Sequence, residues 1–253
     1  MAGHNKWSKI KHRKAVVDKR RGKVWTKVSK AIIVAAKNGG PDPAANLSLR
    51  YAIDEARYAN MPRDTIERAI QKGAGGGDTS SYENTRYEGY AAGGVAVIVD
   101  ALTDNRTRTV GDVWLAFGNH EGNLGNSGCV AYLFDHRGQI TLDGKGVSED
   151  RLMEVAVDAG ADNLEPSGDG DDRVWTVTTP PTQFQAVKEA IEKAGFTITE
   201  AQLAMVPQNR VEVRGEAARH VLELVEALEE LDDVQKVWAN FEIPDDEVEK
   251  LGL

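Results

Sequence analysis

The sequence predicts an α+β multidomain protein: an N-terminal three-helix bundle followed by two ferredoxin-like α/β sandwich domains, one inserted in the other. Three observations carry this expectation. The first quarter of the chain repeats apolar residues every three or four positions, the period of helices with one buried face. A glycine-rich stretch, "GAGGGDTSS" from Gly73 to Ser81, then breaks all periodicity, and beyond it short alternating runs bounded by glycines read as strands. Finally, the runs between residues 136 and 207 form a complete β-α-β-β-α-β series, while those on either side of it are incomplete by themselves.

Taken in order, Val24, Val28, Ile32 and Ala35 align on one face of a helix from about Arg20 to Asn38, which "NGG" stops. Trp25 shares that spacing and reads as core. Asp42 and Pro43 supply an N-cap and a first-turn proline for a second helix with Leu49, Ile53 and Ala56 inward. Pro62 opens a third, carrying Ile66, Ala69 and Ile70 and ending at Gly73. The Gly73–Ser81 stretch lacks the lysine, strand and spacing of a phosphate-binding loop and reads as a linker.

After it, "YENTRYEGYA" and "GVAVIVDAL" read as strands joined through "AGG". "RTRTVGDVWLAFG" reads as a helix with Val110, Val113, Trp114 and Phe117 aligned, and "CVAYLF" as a third strand. Near the end, "RVEV", the helix "EAARHVLELVEALEEL" and "VQKVWANFEI" supply what this sheet lacks. The expected domains are therefore residues 1–78 (basic arm, three helices and linker), 79–135 with 208–243 (a discontinuous α/β domain), 136–207 (the insert) and a tail at 244–253.

Charge is the strongest functional signal. The chain of 253 residues has a net charge of −9, yet residues 1–37 hold twelve Lys and Arg against one acid, Asp18. That opening carries +11, leaving −20 on the remainder. A Lys/Arg cluster that neutralises phosphates gains the free energy of released counterions, so the cationic end points to a polyanionic partner that the acidic body repels. A solvated basic tail, or one pairing with the acidic body, is the plainer alternative. The nucleic-acid-binding candidates are Lys6, Trp7, Lys9, Lys11, Arg13, Lys14, Lys19, Arg20, Arg21, Lys23, Lys27 and Lys30, with Trp7 placed to stack on an unpaired base. Arg106 and Arg108, in the first turn of a helix capped by Asp104 or Asn105, are a secondary pair. Cations are disfavoured there by the helix dipole, which a phosphate or a neighbouring carboxylate would relieve; the carboxylate is the favoured reading.

Other classes find less support. The longest apolar run, "AIIVAA", is far short of the roughly 20 residues that cross a bilayer, and no signal-peptide pattern follows the basic start, so a cytoplasmic protein without membrane association is expected. One cysteine, Cys129, and five scattered histidines (His4, His12, His120, His136, His220) give no zinc spacing and no catalytic constellation. "GDGDDR" at 168–173 lacks the ligand order of a calcium loop and reads as a hairpin turn. No catalytic residue, metal, cofactor or small-molecule substrate is expected, and the chain is expected to be a monomer.

The opening stretch, then "ARYANMPRDTIERAIQKGAG", "YEGYAAGGVAVIVDALTDNRTRTV" and "EGNLGNSGCVAYLF", together resemble the YebC family of bacterial and organellar proteins from Met1 to about Gly138, and more weakly to the C-terminus. The resemblance implies a three-helix N-terminal domain and two α/β domains, one within the other. It implies two functional descriptions: DNA-binding transcriptional regulators, and ribosome-associated factors, mitochondrial translational activators among them, that help synthesis through proline runs. Asn5 stands where the family commonly has Ser, and "FGNHEG" replaces a shorter glycine turn, so the correspondence reaches Lys6, Lys9, Lys11, Arg13 and Lys14 but puts any contact at Gly118–Gly122 in question. Basic residues in an arm and along one helix hold phosphates without reading base edges. The expectation is thus a non-enzymatic translation factor that binds rRNA or tRNA on the ribosome, with DNA-binding transcriptional regulation as the alternative.

Overall fold

The computed structural model describes residues 17–75, 82–168, 170 and 173–250, with the side chains of residues 17–21, 245 and 249 outside that description. The elements run α1 (Val17–Gly39), α2 (Leu47–Tyr58), α3 (Arg63–Ala74), β1 (Glu83–Ala91), β2 (Val95–Thr103), α4 (Arg106–Asn119) and β3 (Asn123–Leu124). They continue as β4 (Phe134–Asp143), α5 (Glu149–Asp158), β5 (Asn163–Ser167), β6 (Val174–Thr179), α6 (Phe184–Lys193) and β7 (Ile198–Pro207). The chain ends with β8 (Val211–Glu212), α7 (Gly215–Glu230), β9 (Val234–Ala239), β10 (Phe241–Glu242) and α8 (Asp245–Lys250). This is an α+β protein with a helical N-terminal part followed by two antiparallel sheets. The described residues divide into two compact units, 135–206 and a larger one formed by the residues before and after that segment.

In the larger unit, α1, α2 and α3 bury Val28, Ile32, Ala36, Leu49, Ile53, Ile66 and Ala69 among themselves, the stripe that their 3.6-residue period dictates. Trp25 packs against this cluster and its indole N–H donates to the carbonyl of Ala59 at 3.0 Å, so its ring is core. Gly73 lies within α3, where a side chain would collide with the carbonyl of Ile33; its absence lets α3 approach α1 closely. Two local expectations are corrected. Val24 is 44% exposed, because at that turn of α1 it is Trp25 that packs against the cluster. Asp42 caps only a turn through Ala44, at 2.9 Å, and the N-cap of α2 is Asn46, whose side chain accepts from Leu49 and donates to the carbonyls of Ala35 and Gly40.

The sheet of this unit has the order β3-β1-β2-β9. Strands β1 and β2 pair antiparallel with Glu88 opposite Ile98, and β2 pairs with β9 with Ile98 opposite Trp238. The turn between β1 and β2 places Gly93 at φ 70° and Gly94 at φ 77°, left-handed conformations that glycine adopts without strain. Helices α4 and α7 cover one face through Val113, Phe117, Val221, Leu224, Val225 and Leu228. Val110 and Trp114, expected on the inner face of α4, are instead 39% and 64% exposed; Thr109 and Ala116 are buried in their place. The run "CVAYLF" is not a strand over its length: residues 131–133 form a 3₁₀ turn, and β4 starts only at Phe134. β8 stays outside the main sheet and pairs in parallel with β10. Within the segment read as a C-terminal tail, Asp245–Lys250 form α8. The buried Glu247 carboxylate accepts from Gly215 N–H at 2.8 Å, and Val248 packs on the sheet core.

The chain leaves this unit after Phe134 and re-enters it at Pro207, where Gln208 N–H donates to the carbonyl of Leu133 at 2.9 Å. The intervening unit has the sheet order β5-β6-β4-β7, the arrangement of a ferredoxin-like β-α-β-β-α-β chain. Its strands alternate as a one-faced sheet should: Ile140, Leu142, Trp175 and Val177 are buried, with Leu152, Ala156, Phe184, Val187 and Ile191 buried on its two helices.

Candidate nucleic-acid interface

The sequence places the cationic candidates at the start of the chain and along α1. Lys6, Trp7, Lys9, Lys11, Arg13 and Lys14 lie outside the described residues, as do the side chains of Lys19, Arg20 and Arg21. Lys23, Lys27 and Lys30 are described, and they follow one another at helical spacing along α1.

All three ammonium groups reach the C-terminal end of α7 and the turn that leads from it to β9. Lys23 pairs with the Glu230 carboxylate and donates to the Glu230 carbonyl at 3.2 Å. Lys27 donates to the Glu229 carbonyl at 2.5 Å. Lys30 donates to the Asp232 carbonyl at 3.2 Å and to the Asp233 carboxylate at 3.0 Å, and lies 5.4 Å from the centre of the Tyr82 ring. The described part of the basic candidate set is therefore engaged with the acidic body of the same chain.

Asp233 is the focus of this junction. Its buried carboxylate accepts from Arg108, Lys30, Thr103 and Thr109, drawn from α1, β2 and α4. Burial pushes this carboxyl up, but the hydrogen bonds from Arg108, Lys30 and Thr109 outweigh it and lower its pKa to about 2. Arg108, a secondary candidate, also donates to Asp104 at 2.8 Å and is held strongly protonated by these two acids. Arg106 lies 3.6 Å from Glu83. Asn105 is the N-cap of α4, accepting from Arg108 N–H at 3.1 Å. The cations in the first turn are thus offset by neighbouring carboxylates, the favoured of the two sequence readings.

A second buried carboxylate, Glu88 on β1, was not singled out by sequence. It accepts from the backbone N–H of Gly128 at 2.9 Å, Val130 at 2.9 Å and Ala131 at 2.8 Å. Burial raises this carboxyl, and the three amides more than reverse that, holding it below its ordinary value. The available signal was an acid at the point where the strand turns from exposed polar residues to the buried Gly89 and Ala91 end. The contact explains why the "CVAYLF" run bends into a 3₁₀ turn: the amides that a strand would pair with a neighbour are donated to Glu88 instead.

The chemistry-bearing residues do not converge. Cys129 is half-buried, and burial together with the Glu88 charge raises its thiol pKa, the reverse of an activated nucleophile. His120 lies 3.6 Å from Glu223, and His220 lies 3.0 Å from Glu121, two separate pairs between the end of α4 and α7. Among the described residues no group of three or more His, Cys, Asp or Glu side chains is arranged around a metal position. No described helix is long and apolar enough to cross a membrane.

The fold defines a class: a three-helix module with a cationic first helix, joined to a discontinuous α/β unit that carries a second, ferredoxin-like unit between its halves. Residues 5–76 match the model of the TACO1/YebC protein N-terminal domain, and residues 82–241 match that of the TACO1/YebC second and third domain. The chain belongs to the TACO1/YebC family. It is 49% identical over 251 residues to a probable transcriptional regulatory protein of Citrifermentans bemidjiense, covering 99% of this chain and 100% of the relative. A probable transcriptional regulatory protein of Cupriavidus necator is 52% identical over 245 residues, covering 97% and 100%. The crystal structure of a conserved hypothetical protein from Aquifex aeolicus superposes with a TM-score of 0.81 at 49% identity, covering 92% of this chain and 94% of that one.

Proposed function

We propose that this protein is a non-enzymatic, nucleic-acid-binding regulator of gene expression, acting in the cytoplasm as a monomeric, ribosome-associated factor that relieves stalling on difficult nascent sequences such as proline runs. The observation that carries the reading is the segregation of charge: +11 on residues 1–37 against −20 on the rest. The names of the relatives support regulation of gene expression in general. The choice of RNA rests on the form of the cationic part, an arm and a single helix. Such a part can follow irregular phosphates and stack Trp7 on an unpaired base, but offers no second helix to set into a DNA groove. An acidic body repelled by most nucleic acid would restrict docking to places the arm alone can enter.

Neutralising Lys6, Lys9, Lys11, Arg13 and Lys14 is expected to flatten the dependence of log affinity for RNA on log salt by several units, given roughly 0.7 to 0.9 units per phosphate contact. In a purified translation system the protein is expected to speed synthesis through a proline run, to leave a proline-free control unchanged, and to lose the effect when residues 1–21 are deleted. The names of the relatives favour a second reading, DNA-binding transcriptional regulation. No gain on the proline reporter, together with footprinting of one promoter in clear preference to bulk DNA at physiological salt, would decide for it.

A further inference from the structure

The turn that receives α1 has an unusual composition for an intramolecular partner. Over Glu229–Asp233 it offers Lys23, Lys27 and Lys30 two carboxylates and three main-chain carbonyls, a file of oxygens along a short length of backbone. A file of acceptor oxygens, two of them carboxylates, meeting three lysines at helical spacing is what a run of RNA phosphates would also present. We propose that this acidic turn is an intramolecular competitor of RNA: it occupies the Lys23, Lys27 and Lys30 face of α1, and a single-stranded RNA engaging that face displaces it. The inference rests on the nucleic-acid reading above and adds a regulation of the same site.

Three features of the structure make the exchange feasible. Lys23 and Glu230 are both substantially exposed, with side-chain accessibilities of 36% and 48%, so each rehydrates on separation and their pairing is weak. Asp233, which is buried, is not orphaned when Lys30 leaves, because Arg108, Thr103 and Thr109 still donate to it. The apolar clusters of the helical module and of the sheet share no residue, so each core is complete without the lysine contacts. RNA in turn releases condensed counterions when the lysines neutralise its phosphates, a gain the turn cannot offer. The consequence is a threshold: nucleic acid that engages only the preceding arm leaves the turn in place, while a strand long enough to continue onto α1 must expel it.

The test is affinity for a short, end-labelled, single-stranded RNA of mixed sequence, measured on the full chain. The variant Glu230→Gln with Asp232→Asn removes the carboxylate that pairs with Lys23 and the charge on the residue whose carbonyl receives Lys30, and is expected to bind about two- to five-fold more tightly at about 0.1 M salt, the gain shrinking as salt screens the lost attraction. The variant Glu149→Gln with Asp150→Asn removes the same charge from exposed positions of α5 in the other unit and is expected to gain less. An equal gain from both would reduce the effect to net charge and overturn the proposal. In a Cys129→Ser background, a short bismaleimide bridge between Lys27→Cys and Glu229→Cys is expected to weaken RNA binding at least several-fold relative to the unbridged form. Equal binding with and without the bridge would overturn the competition while leaving RNA binding intact. Absence of RNA binding by the unmodified protein would overturn the functional reading and this inference together.

Discussion

Glu88 and Asp233 are two buried carboxylates in the same unit, both held below their ordinary pKa, and they are neutralised in opposite ways. Glu88 takes backbone N–H groups from one loop, forty to forty-three residues further along the chain. Asp233 takes side chains from α1, β2 and α4. The first arrangement fixes the path of a loop, since amides cannot leave without moving the backbone. The second joins modules, and one partner can leave while the rest remain.

The largest effect is expected from Glu88→Ala. It strands three amide donors, and since each buried unsatisfied group costs about 1–3 kcal/mol, a loss of about 3 kcal/mol is expected in urea unfolding, with faster proteolysis near Gly128. A loss below about 1 kcal/mol would show that water replaces the carboxylate and would dissolve the distinction between the two sites.

Asp233→Asn is expected to cost about 2 kcal/mol at neutral pH, the free energy corresponding to a carboxyl lowered from 3.8 to about 2. The folded pKa lies below the unfolded one, so the contribution is complete above the unfolded value and fades as pH falls through the folded one. Stability curves of the wild type and the variant should therefore converge between about pH 4 and pH 2. Curves that stay parallel over that range would mean that the cations do not hold Asp233 as described.

The smallest effect is expected from Lys30→Met. Asp233 keeps its other donors, so the cost is about 1 kcal/mol or less and shrinks as salt rises, whereas the cost of Glu88→Ala should not change with salt. Equal salt dependence at both sites would break the comparison.

Much of the fold was legible because hydrophobic period is local. β1, β2, α4, α7 and β9 appear where alternating and 3.6-residue patterns place them, and the "AGG" junction and the β-α-β-β-α-β series show in residue order, while most of the stretch read as a linker, residues 76–81, lies outside the described residues. The errors share a cause as well. Val24 and Trp114 fit the apolar period but face outward, since a period gives a stripe and not its edges. Asp42 and Asn46 are both good caps, and only Asn46 finds Ala35 and Gly40 within reach. "CVAYLF" has strand composition, but Glu88 claims its amides.

By itself, then, the sequence determined the elements, their order and the segregation of charge, each a property of neighbours along the chain. Tertiary structure decided which charges meet. Lys23 and Glu230 are 207 residues apart, and nothing in the basic helix names its partner. That pairing exists because β9 lies beside β2 and α7 ends next to α1, so the acidic turn comes to rest on the helix that the composition alone would have left open to a polyanion.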